Sequence, residues 1–368
     1  MRAMVLAAMA LVAVAGSTAI YLGVPLPRFS VGSSSAGHTL SASPTDEITY
    51  SFLNTTTGWA LDSRRDINGN GDFWIFRTVD GAQHWQEQLR GKTSAQGISV
   101  LTFFDPVHGF AMIAAPFQLY RTTDGGTHWN LLRIPGRAVQ SIQFTDPRNG
   151  WLLDAEGSAV RNTLYFTRDG GDTWEWRGYP PEDASGLAMR DQNLSWMAGT
   201  GGAQSHVYFS FDGGVSWQQV QLPSFARALG ARCLNGITLL PTDGVIAAVD
   251  CGVYSSFDQG ATWVSIPTPP PNSTSWARIT YAAEFDWWTM TGGDLWKSTD
   301  AGQTWTLFSR QDDEWDYIPN AIDRKQAWAT LVHLDPATGL WAVPPLLTGL
   351  ALTSDGGLHW TQVNAPRP

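Results

Sequence analysis

Short runs of alternating apolar and polar residues recur along the chain, each followed by a polar turn and then by a second apolar segment that mostly begins with an aromatic residue. The first three are Ile48 to Leu53 before Gly58-Trp59, Leu101 to Phe104 before Gly109-Phe110, and Ile142 to Phe144 before Gly150-Trp151. Alternation with a period of two is typical of strands, so each unit predicts two strands joined by a short turn. Four later units begin at Leu187, Ile237, Ile279 and Ile318.

A second pattern, called the box here, follows each unit. It consists of a serine or threonine, an aspartate two residues later, a glycine, and a tryptophan five residues after the aspartate. The box aspartates are Asp80, Asp124, Asp169, Asp212, Asp258, Asp300 and Asp355. The first copy has Ala82 where the others have glycine. One strand enters each box and another leaves it, as Leu119 to Arg121 and Trp129 to Leu132 illustrate, so every period contains four strands.

The repeat length predicts the architecture. Successive box aspartates lie 42 to 46 residues apart, and the last interval is 55 residues. Such a period is typical of a four-stranded propeller blade rather than of a helical solenoid. We therefore predict an all-β fold, a seven-bladed propeller with four-stranded antiparallel blades, over residues 46–368, which leaves no room for a second domain.

The boxes are explained by structure alone. An aspartate carboxylate accepts hydrogen bonds from backbone N–H groups at a turn, and glycine supplies the positive φ that the turn requires. The tryptophan brings a large apolar area into the packing between blades. We therefore interpret the seven aspartates and their tryptophans as scaffold rather than as chemistry.

These repeats resemble the Asp-box, or BNR, repeats of sialidases, sortilin-type receptors, tandem-propeller xyloglucanases and photosystem II assembly factors. The runs Phe104-Asp-Pro-Val-His-Gly109-Phe110 and Phe144-Thr-Asp-Pro-Arg-Asn-Gly150-Trp151 look most like the assembly-factor branch. The resemblance implies that the boxes join third and fourth strands, on the face opposite any ligand. Because one fold supports hydrolases, receptors and assembly factors, it does not by itself fix the function.

The N-terminal segment predicts export. No charged residue lies between Arg2 and Arg28, and Ala3 to Val24 is almost wholly apolar, so residues 1–29 suit a signal peptide or a transmembrane anchor. Cleavage after Ala15 or Ala19 is one alternative and an uncleaved anchor is the other. Residues 30–45, rich in serine, glycine and alanine, are typical of a flexible tether, although part of them could add a strand that closes the ring. We expect an extracytoplasmic protein, membrane-anchored or secreted, that meets the membrane through this segment only.

The formal net charge of -10 argues against nucleic acid as a partner. Two cysteines, Cys233 and Cys251, flank a predicted hairpin whose turn is Pro241 to Gly244. Symmetric pairing about residue 242 would place them opposite each other, which in an oxidising compartment favours a disulfide over a metal pair. Two buried free thiols are the alternative.

One segment resembles half of a calcium loop. Asp66, Asn68, Asn70 and Asp72 alternate around glycines, but Arg77 stands where the bidentate glutamate of such a loop belongs. We therefore favour an Asn/Gly-rich turn between strands and expect no cofactor, with calcium as the alternative if another loop lends a carboxylate.

Ligand contacts are expected where the repeat is broken. The acidic segment Asp312, Asp313, Trp315 and Tyr317 lies in the predicted connection between blades six and seven. The seventh period also carries about ten extra residues, which include His333, Asp335 and Trp341. Aromatic side chains on exposed loops tend to anchor partners, so these seven residues are the predicted ligand contacts. A solvated acidic loop and an apolar flap are the structural alternatives.

The leading interpretation is a non-enzymatic scaffold that binds a protein or peptide, similar to the assembly-factor branch. The alternative is a glycan-active or glycan-binding protein. A sialidase needs a Phe-Arg-Ile-Pro motif before the first box, whereas the near match Arg133-Ile-Pro135 follows the second. A xyloglucanase needs separated carboxylates, and Glu182-Asp183 are neighbours in the sequence.

Overall fold

The computed structural model describes thirteen ranges, which are residues 47–65, 70–94, 99–114, 116–155, 161–199, 205–224, 236–240, 242–250, 252–266, 279–291, 294–311, 315–333 and 349–367. They form seven four-stranded antiparallel sheets, each made of four consecutive strands. The seven-bladed propeller predicted from the repeat is confirmed. The predicted signal or anchor and the tether lie outside the described ranges. Within those ranges, no helix is long and apolar enough to span a bilayer.

The strands follow the repeat throughout. Blade one consists of β1 (Glu47–Phe52), β2 (Gly58–Arg65), β3 (Asn70–Thr78) and β4 (Gln86–Ser94), and blade two consists of β5 (Val100–Phe103), β6 (Gly109–Ile113), β7 (Gln118–Thr122) and β8 (Asn130–Leu132). Blade three consists of β9 (Val139–Phe144), β10 (Gly150–Ala155), β11 (Asn162–Thr167) and β12 (Glu175–Gly178), and blade four consists of β13 (Ala184–Met189), β14 (Ser195–Gly199), β15 (His206–Ser210) and β16 (Gln218–Gln221). Blade five consists of β17 (Gly236–Leu239), β18 (Val245–Val249), β19 (Gly252–Ser256) and β20 (Val264–Ser265). Blade six consists of β21 (Thr280–Tyr281), β22 (Trp287–Thr291), β23 (Asp294–Ser298) and β24 (Thr306–Arg310). Blade seven consists of β25 (Trp315–Ala321), β26 (Ala327–His333), β27 (Gly349–Thr353) and β28 (Thr361–Val363).

The hydrophobic core is divided among the blade interfaces. First strands of neighbouring blades, such as β1 and β5, contact each other, whereas fourth strands such as β8, β16 and β28 are largely exposed. The buried side chains of the described ranges form seven clusters, and each cluster combines residues of two adjacent blades. Burial of apolar area therefore stabilises the ring at every interface rather than inside separate blades.

Aromatic contacts repeat from one interface to the next. Trp59 of blade one stacks on Phe103 of blade two with ring centroids 3.6 Å apart, and Phe110 of blade two stacks on Phe144 of blade three at 3.6 Å. At the seam between blades seven and one, Trp328 lies 5.9 Å from Phe52. The ring thus also closes with an aromatic contact, but the two rings are tilted by 41° rather than stacked.

The seam adds hydrogen bonds to this packing. The backbone N–H of Thr55 donates to Gln326 Oε1 at 3.2 Å, and Trp85 Nε1 donates to the carbonyl oxygen of Asn364 at 2.7 Å. In the described ranges no strand is exchanged between blades one and seven, because each takes its four strands from consecutive segments. Ring closure among these residues therefore depends on side-chain packing and a few hydrogen bonds.

Each box forms the turn between the third and fourth strands, as the resemblance implies. In blade three, Thr167 Oγ1 donates to Asp169 Oδ1 at 2.8 Å, and the backbone N–H of Thr173 donates to the same oxygen at 2.9 Å. The N–H of Gly171 donates to Thr167 Oγ1 at 2.8 Å, with φ of 93° at Gly171. Ala82, the exception in the sequence, adopts φ of 63° at the same position. The scaffold interpretation of the box is supported by these contacts.

Six of the seven box tryptophans are only half-buried, a more peripheral place than the sequence suggests, whereas Trp263 is buried. Trp129 and Trp174 are half-buried and cover the edge of a core cluster. The fully buried tryptophans are instead Trp59, Trp151, Trp196, Trp287 and Trp288. They lie in second strands, whose two faces are both covered by neighbouring blades. The second-strand aromatic residue therefore contributes more apolar burial than the box tryptophan does.

The hydrogen bonds that the box aspartates accept predict that the free energy of unfolding decreases at acidic pH. A backbone hydrogen bond from His128, helped by one from its side chain, lowers the pKa of Asp124 to about 2. A carboxyl whose pKa is lower in the folded state stabilises the fold above its unfolded pKa of about 3.9, and this contribution is lost as the pH falls toward 2.

The Asp124→Asn variant tests this expectation. Its melting temperature should lie below that of the parent at pH 6, because the charged acceptor is lost. The difference should shrink between about pH 4 and pH 2, where Asp124 itself becomes protonated. Thermal melts followed by circular dichroism at half-unit pH steps measure the difference. A gap that stays constant over this range would contradict the assignment.

Candidate functional site

The two faces of the ring are distinguished by their connections. The boxes and the turns between first and second strands share one face, since the N–H of Gly170 in the third box donates to the carbonyl of Arg148 in such a turn at 2.8 Å. The connections between second and third strands and between blades lie on the opposite face. The first strand of blade seven begins at this opposite face with Trp315, and the second strand ends there with His333.

The structure brings two of the predicted ligand segments together. Trp315 begins β25 and is paired with His333 at the end of β26. The end of the connection before blade seven and the start of that blade's inserted segment therefore lie side by side. Asp312, Asp313, Asp335 and Trp341 lie outside the described residues, as do the side chains of Trp315 and His333. Their role as ligand contacts stays a prediction.

The placement of Tyr317 on an exposed loop is wrong. Tyr317 lies in β25 with a side chain only 2% exposed, and its ring centroid is 5.6 Å from that of Trp360. It belongs to the core cluster between blades six and seven. The first strand begins two residues before Tyr317, and strand alternation turns this side chain toward the neighbouring blade.

Half of the calcium candidate lies in a described strand. Arg65 pairs with Gly71 in the β2–β3 hairpin, and Asn70 and Asp72 both belong to β3. The Asp72 Oδ1 is 2.7 Å from Lys92 Nζ, so this carboxylate has a cationic partner at the protein surface. Asp66 and Asn68 lie outside the described residues, so calcium binding stays untested.

The premise of the disulfide is confirmed. Strand β17 pairs with β18 so that Gly236 faces Ala248 and Leu239 faces Val245, a register symmetric about residue 242. Cys233 and Cys251 lie outside the described residues.

We expect mass spectrometry of the non-reduced protein to find one peptide pair that links Cys233 to Cys251. Two alkylatable thiols in native protein from its own host would contradict this.

The described part of the face opposite the boxes contains a cluster of polar side chains between blades three and four. Asp183, just before β13, accepts a hydrogen bond from Tyr208 Oη at 2.7 Å, and its Oδ2 lies 3.0 Å from His206 Nε2. His206 and Tyr208 project from the same face of β15 because they are two residues apart. The His206 ring lies over Gly199, where a Cβ atom would collide with it.

An aromatic surface borders this cluster. Trp176 and Tyr179 are 57% and 53% exposed, with ring centroids 5.7 Å apart. The Arg161 guanidinium lies 5.9 Å from the Tyr179 ring centroid and pairs with Glu182 Oε1 at 3.3 Å. We name Trp176, Tyr179, Arg161 and Glu182 the blade-three site. Exposed rings with an arginine and a carboxylate at their edge can bind polypeptide through apolar contact and charged hydrogen bonds.

Tyr208 is a hydrogen-bond donor in this cluster. Burial, assisted by the hydrogen bond to Asp183 and its charge, raises the pKa of Tyr208 to about 12. Its hydroxyl therefore stays protonated at neutral pH. Tyr208 with Asp183 thus forms a stable hydrogen-bond donor and acceptor pair.

Two residues of this region were noted in the sequence. Glu182 and Asp183 are adjacent acids, but no sequence pattern indicates what either of them contacts. The spacing of His206 and Tyr208 in an alternating run was a usable signal that both face the same way. Arg161, Trp176 and Tyr179 carry no motif, and only the fold brings them together.

Comparisons with known proteins agree with this architecture. Residues 126–266 match the family model described as photosynthesis system II assembly factor YCF48. That segment extends from the second box to the end of blade five and includes the blade-three site. No curated protein matches the chain.

Solved structures similar to the chain are also propellers. One is described as YCF48 bound to D1 peptide; it is 16% identical with a TM-score of 0.54, and the match covers 85% of this chain and 93% of that chain. YCF48 from Cyanidioschyzon merolae is 13% identical with a TM-score of 0.50, over 86% and 95% of the two chains.

A third similar structure is the β-propeller domain of the Trilobed protease from Pyrococcus furiosus, described as having an open velcro topology. It is 10% identical with a TM-score of 0.54, over 87% of this chain and 98% of that chain. At these identities the similarity concerns the fold. The chain is accordingly a seven-bladed propeller of Asp-box repeats, and its residues 126–266 resemble the photosystem II assembly-factor family.

Proposed function

We propose that this chain is a non-enzymatic scaffold that binds a protein or peptide partner outside the cytoplasm and assists the assembly of a protein complex. The observation that carries the proposal is the match of residues 126–266 to the assembly-factor family. The similar propeller described with a bound D1 peptide supports a polypeptide as the class of partner.

The blade-three site supplies contacts suited to such a partner. Trp176 and Tyr179 offer exposed aromatic area, which contributes more binding free energy per residue than other side chains do. Arg161 and Glu182 satisfy each other in the free protein and can exchange this pair for backbone or side-chain groups of a peptide. Apolar rings with a charged border match a polypeptide better than an anionic sugar, since the protein carries a net charge of -10.

A photo-crosslinking experiment tests the proposal. A benzophenone amino acid placed at Tyr179 of the full-length protein should crosslink a specific polypeptide in the native host. The matched control places it at Leu131, the residue two positions after the second box tryptophan, as Trp176 is after the third. The purified partner should then bind the Trp176→Ser/Tyr179→Ser variant roughly tenfold more weakly than the parent. Equal crosslinking at both positions, or unchanged affinity, would refute the site.

The glycan alternative has its own outcome. A panel of fluorogenic glycosides that includes sialosides should give no turnover above buffer. Turnover that disappears in the Asp183→Asn variant would replace the scaffold proposal with a hydrolase. Turnover that persists in this variant would indicate a contaminating enzyme.

The proposed compartment is supported by the uncharged segment between Arg2 and Arg28. Protease added to intact cells freed of their outer barrier should degrade the full-length protein while sparing a cytoplasmic marker. Membrane fractionation separates the two remaining alternatives, because an anchored chain sediments with membranes and a cleaved one does not. Full protection from protease would contradict export.

A further inference from the structure

Turns of neighbouring blades meet on the face that carries the boxes. At the junction of blades five and six, Phe257, the second residue of its box, lies beside Phe285, the third residue of the next blade's turn between first and second strands. The same two repeat positions can be compared in every blade. The box residues, in blade order, are Val79, Thr123, Arg168, Phe211, Phe257, Thr299 and Ser354. The turn residues are Thr56, Val107, Arg148, Asn193, Asp243, Phe285 and Lys325. Both partners are aromatic only at the junction between blades five and six.

The two phenylalanines at that junction form an exposed pair. The rings of Phe257 and Phe285 have centroids 5.1 Å apart, and the residues are 37% and 49% exposed. The junction of blades one and two has an aliphatic counterpart in Val79 and Val107, which are 63% and 42% exposed. An exposed phenylalanine pair has no polar tip to hydrate, so covering it with a partner removes apolar area from water.

The turn beside this pair is built in an unusual way. Blades one, two, three, four and seven begin this turn with Asn54, Asp105, Asp146, Asp191 and Asp323, whose side chains accept N–H groups of their own turn. In blade five the sequence has Pro241 instead. Glu284 of blade six supplies the missing carboxylate, because its Oε1 accepts the N–H of Gly244 at 2.8 Å and its Oε2 accepts that of Thr242 at 3.1 Å.

Acidic residues lie next to Phe257 and Phe285 in the sequence, and the first of them, Glu284, is held in place by the blade-five turn. Glu284 is held by two backbone N–H groups and immediately precedes Phe285. Asp243 is exposed and accepts a hydrogen bond from Gln259 Nε2 at 3.3 Å, two residues from Phe257. Asp258 follows Phe257 in the sequence, and its Oδ2 accepts a hydrogen bond from the hydroxyl of Thr262 at 2.6 Å. Two carboxylates therefore belong to sequence neighbours of the rings, and a third is hydrogen-bonded to a residue two positions from Phe257.

The neighbouring cations are engaged in contacts within the fold. The Arg190 guanidinium donates to the carbonyl oxygens of Leu240 at 3.1 Å and Gly244 at 2.9 Å, and it also contacts that of Thr242. Arg324 pairs with Asp286 at 3.5 Å. The Arg190 charge acts on Asp243 and Glu284 as well. The four acids Asp243, Asp258, Glu284 and Asp286 still outnumber the two arginines, so this junction keeps a net negative charge.

We propose that Phe257 and Phe285, bordered by Asp243 and Asp258, form a second docking surface, the blade 5–6 patch, for a basic amphipathic segment of a partner polypeptide. Apolar side chains of that segment cover the two rings, and its lysines or arginines face the acidic rim. A second copy of this chain is a poor occupant, because two acidic rims would oppose each other. The proposal rests on the proposed scaffold function but uses residues of blades five and six, none of which belongs to the blade-three site, so that one propeller holds two polypeptides.

The test uses a labelled peptide of defined chemistry. A fluorescent 14-residue amphipathic helix of lysine and leucine is titrated with the full-length protein, and its anisotropy gives the dissociation constant. The Phe257→Ser/Phe285→Ser variant should bind roughly tenfold more weakly, because the apolar contact is removed. The matched control, Val79→Ser/Val107→Ser, changes the same repeat positions at another junction and should bind like the parent. All three proteins should melt alike, since the four side chains are exposed.

The charge component is measured separately. Asp243→Asn should weaken binding and reduce its dependence on salt, and a peptide with glutamate in place of lysine should not bind. Equal affinity of the Phe257→Ser/Phe285→Ser variant and the parent would overturn the patch, as would an equal loss in the valine control. If the partner crosslinked at Tyr179 is real but this peptide ignores the patch, the scaffold function stands and only the second surface falls.

Discussion

Replacing Trp59 with alanine is expected to lower the free energy of unfolding by about 3 to 5 kcal/mol, the usual range for a deleted core tryptophan. The side chain is fully buried and stacks on Phe103 with an interplanar angle of 6°. Its Nε1 donates to the carbonyl oxygen of Gly125 at 3.1 Å. Blade one therefore depends on blade two for both the apolar and the polar contacts of this residue, and alanine removes both.

Equilibrium unfolding in urea, followed by far-ultraviolet circular dichroism, measures this loss. The matched control is Trp176→Ala, which removes the same side chain from an exposed position and should change the free energy by less than about 1 kcal/mol. Trp129→Ala should fall between the two, because that residue is half-buried. An order in which the box tryptophan costs more than Trp59 would contradict the division between core and periphery.

The repeat made the fold predictable, and it also concealed where the core is. The box is the most regular part of the sequence repeat, but its recurring residues, such as Asp169, form a hydrogen-bonded turn and not the core. Burial depends on whether a strand has neighbours on both faces, and spacing alone does not show this. The glycine and aromatic pairs, such as Gly58-Trp59, can be recognised in the sequence. Only the closed ring of blades shows that the aromatic residue of each pair is buried between two neighbouring blades.

The candidate sites were less predictable, for a physical reason. Tyr317 was placed on a surface loop because acidic residues precede it, whereas the strand starts early enough to bury it. Glu284 could not be assigned a role from the sequence, because its two hydrogen-bond partners belong to the preceding blade. Contacts between blades join residues about 40 positions apart, and no local pattern encodes them. Departures from the repeat, such as Pro241, indicate only where to look.

The seam of the ring provides the second large effect. Trp328→Ala is expected to cost about 3 to 5 kcal/mol, as much as the loss of a tryptophan inside the ring. Trp328 is buried against Tyr50 and Phe52 of blade one, with ring centroids 5.5 Å and 5.9 Å away. Since the described strands of blades one and seven are not exchanged, side-chain packing and a few hydrogen bonds hold the described ends of the ring together.

Trp196→Ala is the matched control, because Trp196 is a buried second-strand tryptophan at an internal interface. Both variants should lose similar stability in urea, but hydrogen exchange should separate them. Loss of Trp328 should speed exchange in β1 to β3 and β25 to β27, since the ring opens first at its weakest junction, whereas loss of Trp196 should speed exchange in blades four and five. A Trp328→Ala protein with the stability and exchange pattern of the parent would show that other contacts hold the seam.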